Sequence, residues 1–151
     1  MTKILFICLG NICRSTMAEA LLKYHLEQEG IQAIVQSRGT SSEERGNPPY
    51  HLTKQLLTSK NIDPEIYLKG KVAEKLSEAD CHDFDYILCM DKSNLEATLA
   101  IAGPENQHKV MLLSNLIDQS YNVADPWYTR DFDATYKDIM KTIPKLIELC
   151  S

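Results

Sequence analysis

A cysteine and an arginine bracket the first loop of the chain. Cys8 ends an apolar run of strand length, and Arg14 stands just before a helical pattern that begins at Ser15. A loop in this position lies at the carboxyl end of a strand and the positive end of a helix, so its backbone N–H groups can converge on an anion. Cysteine supplies a nucleophilic sulfur, and arginine supplies a planar fork for phosphate oxygens. The spacing predicts a phosphate cradle with a nucleophile beneath it.

The other residues of the loop suit the same chemistry. Gly10 and Asn11 tolerate the left-handed or turn dihedrals that a tight wrap requires. A thiol attacks only as its thiolate, which helix N-termini and nearby cations favour. Ser15 is expected both to cap the helix and to hydrogen-bond the sulfur. A buried structural thiol and a surface arginine would explain Cys8 and Arg14 separately but not together, because a cation before a helix opposes the helix dipole unless an anion binds.

Residues 8–15 resemble the signature loop of the low-molecular-weight protein tyrosine phosphatases, in which a cysteine is followed after five residues by Arg-Ser. The loop lacks the Gly-Lys-Ser/Thr ending of a Walker A motif. The resemblance implies one domain over residues 1–151, with an α/β fold, a four-stranded parallel sheet of order 2-1-3-4 and helices on both faces. It extends over four further segments, namely 17–20, 37–40, 84–91 and 125–128.

The resemblance also implies the catalytic roles. Cys8 would attack phosphorus, and Arg14 would hold the phosphoryl oxygens together with the loop amides. A carboxylic acid is needed to protonate the leaving oxygen and later to activate water, and the resemblance assigns both tasks to Asp125. Trp127 and Tyr128 would form apolar walls for an aromatic leaving group. The remaining residues expected to bind the phosphoryl group are Leu9, Gly10, Asn11, Ile12, Cys13 and Ser15.

Composition narrows the function classes. The formal charge is −5, with acidic and basic residues mixed along the chain, which argues against binding to nucleic acid or an anionic membrane. Five cysteines at irregular spacing do not indicate a disulfide framework, and a reactive thiolate favours a reducing compartment. No signal peptide, membrane span or metal-ligand spacing is evident. A cytoplasmic monomer without cofactor is expected, with a phosphotyrosine protein or peptide as substrate and inorganic phosphate as product and competing ligand.

Strand and helix patterns alternate along the chain, which predicts a parallel sheet with right-handed crossovers. Asp91 is interpreted as a helix cap rather than a second catalytic acid. Pro144 is a possible kink in the last helix. Strands are predicted near residues 4–8, 33–36, 84–90 and 110–113. Helices are predicted near 15–29, 49–60, 72–79, 91–102 and 132–149, and a long loop is predicted over 118–131.

Two positions depart from the resembled family. Glu43 stands where many relatives carry an aromatic or large apolar residue, and with Glu44 it would either repel acidic peptides or form a solvated loop tip. Lys71 stands where the family often has a histidine in a network that supports the first loop, and its contribution is open. In the family, the second loop cysteine can form a reversible disulfide with the nucleophile, and Cys8 and Cys13 match that arrangement.

The predicted function is hydrolysis of phosphotyrosine and small aryl phosphates through a phosphocysteine. Three alternatives remain. An arsenate reductase of the same fold needs two relay cysteines; Cys89 could be the first, but Glu96 occupies the position of the second. The phosphoarginine phosphatases carry a small threonine where this chain has Ile12. A non-catalytic phosphotyrosine-binding module predicts loss of Cys8 or Asp125, and both residues are present.

Overall fold

Four parallel strands form the centre of the protein. The computed structural model describes all residues 1–151. The strands lie in the order β2-β1-β3-β4, and every neighbouring pair is parallel. The predicted fold class and strand order are therefore confirmed. The strands are β1 Lys3–Cys8, β2 Ile34–Gly39, β3 Tyr86–Cys89 and β4 Val110–Leu112.

Helices cover both faces of this sheet. The predicted strands and most of the predicted helices are present, with ends that differ by a few residues. The helices are α1 Arg14–Gln28, α2 His51–Ser59, α3 Pro64–Tyr67, α4 Glu78–Asp83, α5 Lys92–Ala102, α6 Pro126–Thr129, α7 Phe132–Met140 and α8 Ile143–Cys150. Two short 3₁₀ segments span Gln107–Lys109 and Leu113–Ile117. No helix is long and apolar enough to cross a membrane.

The helix predicted over 72–79 is wrong for most of its length. Residues 72–77 run beside the end of β2, where Gly39 donates its N–H to Glu74 O and accepts from Leu76 N, both at 2.8 Å. These backbone bonds to a neighbouring strand replace the helical ones. The helix α4 begins only after Ser77, whose side chain accepts from Asp80 N. A tertiary contact thus overrides a local helical pattern.

The C-terminal helix predicted over 132–149 is two helices. The first ends at Met140 and the second begins at Ile143, with Pro144 in its first turn. Proline lacks the N–H that would continue the preceding helix, and its ring fits the first turn of a new one. The loop predicted over 118–131 likewise contains the short helix α6.

The first strand places the Cys8 side chain on one face of the sheet. All residues from Ile4 to Cys8 are buried, and alternate side chains enter different cores because side chains alternate along a strand. Phe6 and Cys8 join the larger core with residues of α1 and α8, whereas Leu5 and Ile7 join the smaller core on the other face. The sulfur therefore lies on the face that α1 covers.

The end of β2 lies very close to the loop that follows β1. A β-carbon added to Gly39 would stand 2.7 Å from the carbonyl oxygen of Leu9, so only glycine allows this approach. Thr40 N and Ser41 N continue the contact by donating to Cys8 O and Leu9 O, both at 3.0 Å. The carboxyl ends of the parallel strands thus bring the first loop and the loop after β2 together, as is general in open α/β sheets.

Candidate active site

Cys8 ends β1 with its sulfur beneath the following loop. Asn11 adopts the left-handed conformation, with φ of 59°, and this turns its backbone N–H toward the sulfur at 3.2 Å. The hydroxyl of Ser15 lies 2.9 Å from the same sulfur. Only 3% of Cys8 is exposed, and that exposed part opens into a cavity. One backbone amide and one hydroxyl are therefore placed to stabilise negative charge on this sulfur.

One sequence-based expectation about the loop needs correction. Ser15 does not cap α1, because Cys13 occupies the N-cap position without a side-chain cap bond and Ser15 lies inside the first turn. Its hydroxyl is used on the sulfur instead. Of the two loop residues expected to adopt left-handed or turn dihedrals, Asn11 is left-handed and Gly10 lies in a bend. A β-carbon at Gly10 would stand 3.2 Å from Glu44 Cγ.

A network of hydrogen bonds between side chains supports the loop that follows β1 from beneath. Asn11 Nδ2 donates to Ser15 Oγ at 2.8 Å and to Ser37 Oγ at 2.9 Å, and Ser37 Oγ donates to Glu19 Oε1 at 2.6 Å. Asn11 Oδ1 accepts from the backbone N–H of Glu74 at 3.1 Å. Because the Ser15 oxygen already accepts a bond, its proton is free to point to the sulfur. All these side chains except that of Glu74 are buried.

Lys71 closes this network. Its ammonium donates to Ser37 O at 2.8 Å and lies 3.8 Å from Glu19 Oε1, with 9% of the side chain exposed. Burial lowers the pKa of Lys71, although the nearby carboxylate of Glu19 opposes that shift. Glu19 also binds Lys23 at 2.7 Å, one helical turn away. The sequence left the contribution of Lys71 open. In the structure, Lys71 directly contacts Ser37 and Glu19, two members of the network.

Arg14 is buried and held by two carboxylates. Its Nη1 donates to Asp91 Oδ2 at 2.8 Å and to Val123 O at 3.3 Å, and Nη2 lies 3.4 Å from Asp125 Oδ2. Burial opposes the charge on this guanidinium, but Cys8, Asp91 and Asp125 outweigh it and raise the pKa of Arg14. The guanidinium therefore remains a fixed cation at the cavity.

Asp91 has two contacts, of which the sequence indicated one. Its Oδ1 accepts from Asn94 N at 2.7 Å, and Asn94 Oδ1 accepts from Asp91 N at 3.2 Å. This capping box confirms the predicted helix cap at the start of α5. The other oxygen, Oδ2, binds Arg14, so one carboxylate both begins a helix and orients the guanidinium. In the sequence, only the position of Asp91 just after a predicted strand could have indicated its contact with Arg14.

Asp125 reaches the cavity from the loop before α6. Its Oδ1 accepts from Trp127 N at 3.0 Å, while Oδ2 faces Arg14. The loop is tied to α7 by side chains that the sequence analysis missed: Asp138 accepts from Ala124 N at 2.9 Å, and Thr135 donates to Ala124 O at 2.7 Å. The helix α7 therefore sets the position of Asp125.

A cavity of about 290 Å³ brings most of the predicted residues together. Asn11 and Ser15 are the two predicted residues that do not line the cavity, because their side chains belong to the hydrogen-bond network beneath the loop. Tyr50, which the sequence analysis missed, packs edge-on against Trp127 with ring centres 5.2 Å apart. The lining consists of Cys8, Leu9, Gly10, Ile12, Cys13, Arg14, Ser41, Glu43, Glu44, Asp125, Trp127 and Tyr128.

Cys13 differs from Cys8 in its surroundings. Burial, together with the nearby charge of Cys8, raises the pKa of Cys13 to about 12. The side chains of all five cysteines are unpaired. No three His, Cys, Asp or Glu side chains are grouped so that they could hold a metal ion. The lining of the cavity presents thiol, guanidinium and carboxyl groups.

Comparison with known proteins defines the class to which this fold and site correspond. The family model described as low molecular weight phosphotyrosine protein phosphatase matches residues 3–150. The chain is 38% identical over 152 residues to the low molecular weight protein-tyrosine-phosphatase PtpA of Staphylococcus aureus (strain MRSA252), covering 98% of this chain and 93% of PtpA. The protein therefore belongs to the low molecular weight phosphotyrosine protein phosphatase family.

Solved structures agree with this assignment and widen the range of activities to consider. YfkJ from Bacillus subtilis superposes with a TM-score of 0.90 at 34% identity, covering 98% of this chain and 93% of YfkJ. A Drosophila protein named an arginine phosphatase superposes with a TM-score of 0.84 at 31% identity, covering 97% of this chain and 96% of its own. Proteins of this fold thus include more than one named phosphatase activity.

Proposed function

We propose that this protein hydrolyses phosphotyrosine and small aryl phosphates through a phosphocysteine on Cys8. The observation that carries this proposal is the convergence of three groups on one cavity. These are a thiol contacted by a backbone N–H and a hydroxyl, a buried guanidinium, and a carboxyl group. Such an arrangement suits in-line phosphoryl transfer, in which the protein mainly positions the reactants and stabilises their charge.

In the first step, the thiolate of Cys8 attacks phosphorus from the side opposite the tyrosyl oxygen. The sulfur–phosphorus bond forms as the phosphorus–oxygen bond breaks. Asp125, in its protonated form, donates its proton to the leaving oxygen. Arg14 and the backbone N–H groups of residues 9–14 hold the nonbridging oxygens. The dephosphorylated tyrosyl side chain leaves with its peptide, and the phosphoryl group remains on the sulfur of Cys8.

In the second step, Asp125 is a carboxylate and takes a proton from water as that water attacks phosphorus. The sulfur–phosphorus bond breaks, and inorganic phosphate and the thiolate of Cys8 are released. The hydroxyl of Ser15 is placed to stabilise the departing sulfur, because it lies 2.9 Å from Sγ. The proton taken from water restores the acid form of Asp125, and the enzyme is ready for another cycle.

The cavity lining supports an aromatic leaving group. Trp127 and Tyr128 are 46% and 82% exposed, which leaves ring surface free for a substrate ring. Ile12 adds an aliphatic side chain where the phosphoarginine branch has a small threonine. The arsenate-reductase alternative is disfavoured because position 96 is glutamate and because burial raises the pKa of Cys89 to about 12.

The proposed setting is a reducing compartment such as the cytoplasm. The reaction depends on a reduced Cys8, and all five cysteines are unpaired in the structure. We propose that the protein acts as a monomer on phosphotyrosine proteins or peptides, with inorganic phosphate as product and competitive ligand.

Hydrolysis of p-nitrophenyl phosphate in EDTA, together with phosphotyrosine and phosphoarginine peptides, tests the proposal. Cys8→Ser should abolish turnover, because serine is a far weaker nucleophile in this setting. Asp125→Ala should lower kcat by roughly 10²–10⁴-fold, the usual contribution of a general acid. Glu105→Gln, an exposed position on a distant turn, is the matched control and should retain full activity.

Other results would favour the alternatives. A preference for phosphoarginine, or reduction of arsenate by wild type, would replace the tyrosine assignment. Binding of a phosphotyrosine peptide without phosphate release would identify a recognition module.

A further inference from the structure

Two glutamates lie at the mouth of the cavity, on the loop that follows β2. Both line the cavity with Ser41. Glu44 Oε2 accepts from Asn47 Nδ2 at 2.7 Å, and its Cγ lies 3.2 Å from where a β-carbon of Gly10 would be. The Glu44 side chain is therefore held against the proposed phosphate loop. Glu43 is exposed, and its backbone N–H is fixed by Ser41 Oγ at 3.1 Å.

These carboxylates have no cationic partner within the chain. None of the ion pairs in the protein includes Glu43 or Glu44. Arg14, the one arginine or lysine among the lining residues, is already bound to Asp91 and faces Asp125. Uncompensated negative charge beside a site for a dianion is unfavourable by itself, because like charges repel. It becomes favourable only when the substrate brings positive charge.

The two glutamates line the cavity on the side of the loop that follows β2. The guanidinium of Arg130 lies 5.4 Å from the centre of the Trp127 ring, but Arg130 is not among the lining residues. We propose that Glu43 and Glu44 form an acidic lip that selects phosphotyrosine segments with lysine or arginine near the phosphotyrosine, and discriminates against acidic ones. This inference rests on the proposed phosphatase function, since the phosphoryl site fixes where flanking residues lie.

The expected size of the effect follows from the exposure of the lip. Pairs of exposed opposite charges contribute little individually, and like pairs cost a similar amount. Replacing two basic flanking residues by two acidic ones removes the favourable charge pairs and introduces unfavourable ones. We therefore expect kcat/KM to differ by about tenfold between the two peptides at low ionic strength. The difference should shrink strongly at about 0.5 M salt, where the Debye length falls to roughly 4 Å.

The test uses three peptides of equal length that contain one phosphotyrosine between alanines. The outer positions are lysine, glutamine or glutamate. Their kcat/KM values are measured for wild type and for the double variant Glu43→Gln/Glu44→Gln, and each value is divided by that for p-nitrophenyl phosphate with the same enzyme. This division removes any general effect of the substitutions on turnover. Glu105→Gln, which removes an exposed carboxylate remote from the cavity, is the matched control.

We expect wild type and the Glu105→Gln control to favour the lysine peptide over the glutamate peptide by about tenfold. The double variant should reduce that ratio to about twofold or less. A wild-type ratio near one, or an undiminished ratio in the double variant, would overturn the proposal. Failure of the proposed function is recognised separately, as absence of turnover with p-nitrophenyl phosphate and all three peptides. In that case the same peptides are tested for binding by fluorescence anisotropy, and equal affinities would overturn the acidic lip.

Discussion

At the scale of single residues, the two cysteines of the first loop lie in very different environments. Cys8 accepts a backbone N–H at 3.2 Å and contacts a hydroxyl at 2.9 Å. Cys13 is the N-cap residue of α1 without any side-chain cap bond, and burial raises its pKa to about 12. Proximity in sequence therefore does not make the two thiols equally reactive, because thiolate content controls thiol reactivity.

Alkylation by iodoacetamide tests this difference. A thiol whose pKa is raised is almost entirely protonated at neutral pH, so Cys13 and Cys89, both with a pKa raised to about 12, should be unreactive there. Cys81, with a pKa raised to about 11, should behave likewise. Burial also raises the pKa of Cys150. We therefore expect peptide mass spectrometry to find a single label at pH 7.5, on Cys8.

Phosphate should slow this labelling by occupying the cavity, and Cys8→Ser should remove it. The unfolded chain, as positive control, should take up five labels. Comparable labelling of Cys13 in the folded protein at pH 7.5 would contradict the assignment.

At the scale of secondary-structure elements, the residues that cap two helices also contact the guanidinium of Arg14. The capping residue of α5, Asp91, also binds Arg14 at 2.8 Å, and the capping residue of α6, Asp125, faces Arg14 at 3.4 Å. Both helices begin at the carboxyl edge of the sheet, so their caps point to the region where β1 ends. Charge placement at the cavity is therefore coupled to helix formation.

Two substitutions at Asp91 separate its contacts. Asparagine caps helices about as well as aspartate but carries no charge for Arg14. We expect Asp91→Asn to lower the free energy of unfolding by about 1–3 kcal/mol, because the buried guanidinium of Arg14 loses one of its charge partners. The misplaced guanidinium should also lower kcat/KM by roughly tenfold or more. Asp91→Ala should lower kcat/KM similarly and cost about 1 kcal/mol more in stability.

Urea unfolding and p-nitrophenyl phosphate kinetics measure the two effects independently. Full activity in Asp91→Asn would show that the ion pair with Arg14 has no role in positioning the guanidinium.

At the scale of the whole molecule, the first loop depends on groups far apart in the chain. The path runs from Cys8 through Ser15, Asn11 and Ser37 to Glu19, and each step is a hydrogen bond of 2.6–2.9 Å. Lys71 joins it at Ser37 and Glu19. The network links β1, α1, β2 and the segment before α4. Because it is buried, an unsatisfied group within it would be costly.

Lys71→Met tests this dependence. Methionine matches the length of the lysine stem but leaves Ser37 O and Glu19 without the ammonium. We expect a loss of about 1–3 kcal/mol in stability and a several-fold lower kcat. Lys69→Met, at a neighbouring exposed lysine, is the control and should change neither.

The kinetics must be measured well below the melting temperature of the variant, so that lost activity does not reflect unfolding. A stability loss with unchanged kcat would show that Lys71 supports the fold but not the geometry of the loop.

Much of the fold and the site could be predicted from the chain itself. Alternation of strand and helix patterns predicted the parallel sheet, and the segment from Cys8 to Ser15 predicted the loop. Both depend on local chemistry, namely hydrophobic periodicity and the demands of an anion-binding turn. Asp91 as a cap belongs to the same class, because a cap contacts residues within its own first turn.

Long-range contacts account for what the sequence missed. Residues 72–77 pair with Gly39 instead of forming a helix. The predicted contact of Ser15 with the sulfur is present, but the sequence did not indicate that Asn11 holds the Ser15 hydroxyl while also binding Ser37. The contact of Lys71 with Glu19 likewise joins positions far apart in the chain. The sequence by itself determined which chemical groups the protein has and on which elements they lie. Only the tertiary structure decided which of them meet, because those contacts form where separate strands end at one edge of the sheet.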